Sequence, residues 1–147
     1  MIPVLFKANA VDFSTYGIGV LADCISCEVS EERNGAYELV LQYPVTGRNY
    51  GELSSERIIK AKPNDTADDQ AFRIYRITTP IDGVVTVYAQ HISYDLSSIA
   101  ALTWSSKSIS PALAMQRVFQ NTATTHNFTY QTDYSEAKPF SVAKPRS

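Results

Sequence analysis

The sequence predicts an α+β, mainly β protein: a β-barrel or sandwich-like domain, then a partial α+β segment with one amphipathic helix. Three observations carry that prediction. The chain holds nine Tyr and six Phe, residue types that favour strands. Short strand-like runs are punctuated by Asn34-Gly35 and Asp82-Gly83, the dipeptides of tight turns. Only one stretch, after Ser110-Pro111, has a helical signature.

Residues 1–6 read as a first strand. Ile25–Tyr43 reads as a hairpin with Asn34-Gly35 at its tip, and Pro44–Gly51 is turn-rich. Ile58–Ala61 is a further strand, followed by an acidic loop over Lys62–Gln70. Phe72–Thr78 and Val84–Gln90 are strands joined through Pro80–Gly83. Ser110 serves as N-cap, with Pro111 in the first helical position. Ala112, Met115, Val118 and Phe119 then form the expected apolar stripe, with Gln116, Arg117 and Gln120 mostly away from it. Asn127–Gln131 alternates like a strand. The character shift after His91 divides the chain into a β-barrel-like domain over 1–91 and the start of a second domain over 92–147. The ending Ala137–Ser147 shows no closing element and reads as a passage between elements, so the second domain is expected to be truncated.

The hairpin register follows from its faces. If Asn34-Gly35 alone formed the loop, Leu39 would oppose Ser30 and Leu41 would oppose Glu28, apolar against polar. A three-residue loop of Arg33, Asn34 and Gly35 instead sets Val29 against Leu39, Cys27 against Leu41 and Ile25 against Tyr43. A one-residue slip flips every side chain, so this register is selected. Three-residue loops commonly end on a left-handed residue, which predicts a positive φ at Gly35. The hairpin is then two-faced. Glu28, Ser30 and Glu38, with Ser26 and Gln42, form a polar face that is a candidate subunit or lumen surface.

The bulk numbers exclude several function classes. A chain of 147 residues suits one domain, or one and part of another. Its 44% hydrophobic and 19% charged residues are ordinary for a globular protein. A net charge of −2 leaves no electrostatic footprint for specific nucleic-acid binding. No window approaches the ~20 apolar residues of a membrane anchor. The N-terminus lacks the basic region of a secretory signal, so cytoplasmic folding is expected.

No constellation makes a convincing catalytic centre, and no cofactor or metal site is expected. Cys24 and Cys27 form a lone C-x-x-C; on one strand their sulfurs would diverge to opposite faces. His91, Ser93 and Asp95 lie close in sequence, but a hydrolytic triad depends on spatial geometry that this spacing cannot supply, and they read as a structural strand-to-helix junction. Asn64, Asp65, Asp68 and Asp69 lack the spacing of a calcium loop and read as a solvated loop rather than a cation site. Glu31, Glu32, Glu52 and Glu56 have no evident placement across a cleft for glycoside cleavage.

The order of these elements resembles the N-terminal region of phage minor structural proteins, the prophage endopeptidase tail or tail-associated hub family. The passages that carry the resemblance are Glu28–Pro44, Ile58–Ala61, Phe72–Tyr75 and Val87–Leu96. It implies a homotrimeric hub that closes the tail tube at the virion tail tip, assembled in the bacterial cytoplasm. The implied partners are further copies of the chain, the distal tail protein and the tape-measure protein. Downstream regions of some members cleave peptidoglycan or bind receptors, but the family offers no catalytic residues for these positions. Two rival readings are a cell-wall hydrolase using His91, and a carbohydrate-binding module that stacks sugars on an exposed Tyr or on Trp104.

Overall fold

The computed structural model describes residues 2–143. Two compact units comprise Met1–Ile92 and Ser93–Ser147. The protein is mainly β, and the first unit is one seven-stranded antiparallel sheet that curls into a half-barrel. In chain order its strands are β1 (Val4–Phe6), β2 (Gly19–Val20), β3 (Ser26–Glu31), β4 (Tyr37–Pro44), β5 (Ile58–Ala61), β6 (Gln70–Ile77) and β7 (Val84–His91). They lie side by side in the order β2-β1-β5-β6-β7-β4-β3, so the curl ends on β2 and β3 without closing.

Alternation explains which side the curled sheet buries. Leu39, Leu41 and Tyr43 on β4 are fully buried, as are Val87 and Ala89 on β7, while Gln42 between two of them is exposed. These residues gather with Leu5, Leu21, Ile59, Phe72 and Ile74 into one cluster on the concave side. Each large aliphatic side chain buried there contributes roughly 1.5–3 kcal/mol. A smaller cluster of Val4, Phe6, Ile58 and Ala71 lies on the convex side, under Ala10 and Phe13. Lys60 Nζ donates to Phe13 O at 2.7 Å and Arg73 Nη1 donates to Ala8 O at 3.0 Å, which fastens that loop down.

The β3–β4 register pairs Val29 with Leu39, Cys27 with Leu41 and Ser30 with Glu38. At the tip, Glu32 N donates to Ala36 O at 2.8 Å and Gly35 N donates to Glu32 O at 3.0 Å, enclosing Arg33, Asn34 and Gly35. The left-handed residue is Asn34, with φ 58°, and not Gly35 as expected. Positive φ at the third of four turn residues is the type II arrangement. Asn adopts it at little cost because its short amide can bond locally. Gly35 instead supplies room: a Cβ there would stand 2.8 Å from Glu32 Cβ. The two-residue turn occurs at the other hairpin, where Asp82 and Gly83 have φ of 49° and 76°. Positive φ at both central residues is the type I′ signature.

Two further expectations fail at the start of the hairpin. Ile25 does not meet Tyr43; its N–H donates to Gln42 O, and its side chain is 57% exposed while Tyr43 is fully buried. Cys24 lies before β3, so strand alternation does not govern it, and both cysteines pack on the concave core rather than diverging. Both are free thiols.

In the second unit, β8 (Trp104–Ile109) pairs antiparallel with β9 (Lys138–Val142), and α1 spans Pro111–Gln120. β9 falls in the ending that shows no element in its sequence pattern, and Asn127–Gln131 is not a strand. Ser110 Oγ accepts from Leu113 N at 3.5 Å and Pro111 opens the helix. The buried stripe is rotated from expectation. Val118 and Phe119 of the expected stripe are half-buried, but Ala114 is the buried residue and Ala112 and Met115 are exposed. Apolar residues occur all round Ala112–Phe119, so periodicity alone does not fix the inward angle.

Candidate functional site

The convex face of β3, β4, β7 and β6 is built by the same alternation that fills the core. Because Leu39 and Leu41 point inward, Glu38, Val40 and Gln42 point outward, and pairing carries this phase to the neighbouring strands. One row across the sheet reads Glu28, Val40, Tyr88, Arg76; the next reads Ser30, Glu38, Gln90, Arg73. Glu28 and Ser30 are exposed, and Glu38 is half-buried between strands. Among the described residues neither Glu28 nor Glu38 forms a salt bridge or accepts a hydrogen bond from another side chain.

A β-bulge completes the face. The β6–β7 register shifts between Ile74, opposite Ala89, and Arg76, opposite Tyr88, which leaves Tyr75 as the extra residue. Bulges re-aim side chains. Here Tyr75 and Arg76 both become exposed, and Ile77 returns to the core. The Arg76 guanidinium lies 4.5 Å from the centre of the Tyr88 ring, and the Tyr75 and Tyr88 rings are 6.4 Å apart. Partial burial, and then the Glu38 carboxylate, push the Tyr75 phenol above its ordinary range. The face therefore joins two aromatic rings, a stacked guanidinium and two carboxylates. Sequence reasoning found Glu28, Ser30 and Glu38 but missed Tyr75, Arg76 and Tyr88. A signal was present: in Phe72–Ile77 the apolar residues Ile74 and Ile77 are three apart, a slip in alternation that a bulge accommodates.

The turn residues Arg33, Asn34 and Gly35 stand exposed at the hairpin tip. His91 ends β7 on the concave side, where its ring stacks on Tyr37 at 4.6 Å and its Nε2 lies 3.1 Å from Gln70 Oε1. It is thereby occupied as a packing residue, and Ile92–Ser98 continues as a 3-10 helix containing Ser93 and Asp95. In the acidic loop, Asn64 Oδ1 accepts from Thr66 N, Thr66 Oγ1 and Ala67 N, while Asp69 pairs with Lys60 at 3.8 Å. Glu52 pairs with Arg57. Glu31 and Glu32 flank the hairpin tip, and Glu56 sits at a left-handed position with φ 72°. Among the described residues, no three His, Cys, Asp or Glu side chains group to hold a metal ion. Burial pushes the Cys27 thiol up to about 11, and it also raises Cys24. Neither has the lowered pKa of a reactive thiolate. No helix among the described residues is long and apolar enough to cross a membrane.

Comparison with known proteins gives a family match. The family model described as the prophage endopeptidase tail N-terminal domain matches residues 11–91, a span that runs from before β2 to the end of β7. No curated protein and no solved structure matches the chain.

Proposed function

The chain belongs to the prophage endopeptidase tail family through that N-terminal domain, and we propose that it works as the hub closing the tail tube, docking on the distal tail protein. In this reading the protein is a structural component of the virion tail tip, trimeric when full length, with the tape-measure protein as a further neighbour. It acts without catalysis of its own.

The observation that supports this reading is the convex face. Interfaces concentrate Tyr and Arg in their centres and surround them with polar groups, and Tyr75, Tyr88 and Arg76 have that composition. Glu28 and Glu38 supply charge that a basic partner surface would neutralise, and Ser30 adds a neutral hydrogen-bonding group beside them. The test is co-elution of the purified chain with its distal tail protein on size exclusion. A stable complex supports docking, and two separate peaks at micromolar concentrations overturn it. Incubation with purified peptidoglycan tests the catalytic claim: intact sacculi fit a structural role, and released muropeptides contradict it.

A further inference from the structure

The second unit contains a cleft that the tail reading does not use. It has a volume of about 460 Å³, within the roughly 300–1,000 Å³ of small-molecule sites. Three rings line it. Phe119 comes from the last turn of α1, and Phe128 and Tyr130 come from the irregular segment that follows. The His126 imidazole forms the wall between them. It lies 5.2 Å from Phe119 and 5.9 Å from Phe128, centre to centre, and Phe119 and Tyr130 are 5.5 Å apart.

The His126 wall is held in place. Its Nε2 lies 3.1 Å from Phe119 O, and its Nδ1 accepts from Phe128 N at 3.3 Å. Only the Nε2–H tautomer satisfies both contacts, with both ring nitrogens turned to backbone. The imidazole thus orients the cleft and has no nitrogen left for a ligand. The free polar groups are Gln116 and Gln120, one helical turn apart on α1, with Thr129 opposite. Among the described residues, none of these three side chains makes a hydrogen bond to another residue. Each carboxamide offers both donors and an acceptor.

No Asp, Glu, Lys or Arg lines the cleft. Phosphates, carboxylates and cations therefore find no compensating charge, and burying a charge without one is costly. What remains is a neutral ligand that is apolar on one face and rich in hydroxyls at its edge. A pyranose ring has that division: its axial C–H bonds form an apolar face, and its vicinal hydroxyls suit paired carboxamides. We propose that this cleft is a saccharide-binding site, with Tyr130 stacking on the sugar's C–H face and Gln116 and Gln120 bonding its hydroxyl edge. The site lies apart from Trp104, which instead packs against Phe140 and beneath Arg117.

The test is saturation-transfer NMR on the full chain, with maltose, cellobiose and N,N′-diacetylchitobiose at millimolar concentration and glucuronic acid as charged comparator. At least one neutral disaccharide should show transfer concentrated on its ring C–H protons. Gln120→Ala and Tyr130→Ala should each weaken binding about tenfold, while Tyr130→Phe keeps the ring and stays near wild type. Both side chains are exposed, so circular dichroism should show unchanged folds. Three results would overturn the assignment: no transfer from any disaccharide, transfer indifferent to Gln120→Ala and Tyr130→Ala, or glucuronic acid binding as well as the neutral sugars.

Discussion

The concave and convex faces of the seven-stranded sheet share the same strands and differ in everything else. On the concave side, Leu39, Leu41, Tyr43, Val87 and Ala89 are fully buried in one cluster, and they hold the sheet together. One residue along in each strand, Glu38, Gln42, Tyr88 and Gln90 face outward and contribute little to that core. On β3, β4 and β7 the core resides in one phase of the alternation and the surface available to partners in the other. On β1, β5 and the start of β6 the outward phase is itself covered, in the cluster of Val4, Phe6, Ile58 and Ala71. Substitutions should therefore separate sharply by phase.

The largest effect is expected from the concave side. Leu41→Ala should destabilise by about 2–5 kcal/mol through lost transfer energy and a cavity, read as a fall in the denaturation midpoint with unchanged slope. A loss below ~1 kcal/mol would mean that the cluster is not the core.

The hairpin tip comes next. Gly35→Ala should cost about 1 kcal/mol because its Cβ would crowd Glu32 Cβ. Asn34→Ala should cost a similar amount through the left-handed penalty. Asn34→Gly should be close to neutral, since only the backbone conformation is at stake there. Thermal melts of the three variants separate crowding from conformation. An unchanged melt for Asn34→Ala would contradict the type II turn.

A smaller effect concerns alkaline pH. Burial raises the Cys27 thiol to about 11 in the folded state, against roughly 8.5 for an unfolded thiol. The unfolded chain then loses its proton first, so stability is full below about pH 8.5 and declines as pH rises toward 11. Cys24, Tyr37, Tyr43 and Tyr75 are raised with the same sign, burial being the leading cause for each. Urea melts at pH 7.5 and pH 10 should show this decline, and Cys27→Ala should make it shallower. An identical decline in the variant would remove Cys27 as a contributor.

The register of β3 on β4 was legible because a one-residue error would place Leu39 and Leu41 against Ser30 and Glu28. The left-handed position was not, since Asn and Gly both tolerate positive φ and dipeptide identity does not say which one takes it. The inward angle of α1 was hidden by apolar residues on every side. The pairing of β8 with β9 joins Trp104 to Val142; neither Trp104-Ser-Ser-Lys-Ser-Ile nor Lys138-Pro-Phe-Ser-Val alternates cleanly, and Pro139 argues against a strand except at an edge. At the candidate face, Glu28, Ser30 and Glu38 followed from hairpin pairing alone. Tyr75, Arg76 and Tyr88 depended on a bulge and on the β4–β7 pairing, whose sequence separation no local pattern encodes.

The convex face should show the smallest stability change and the largest functional one. Glu28→Lys and Glu38→Lys, alone or together, should shift stability by no more than ~0.5 kcal/mol, as surface substitutions usually do. The most direct measurement is size-exclusion binding of the Glu28→Lys/Glu38→Lys double variant to the distal tail protein, beside wild type and a surface control such as Asp65→Lys. The convex-face account predicts a folded variant that no longer co-elutes, while wild type and the control do. Undiminished co-elution of the folded double variant would contradict it.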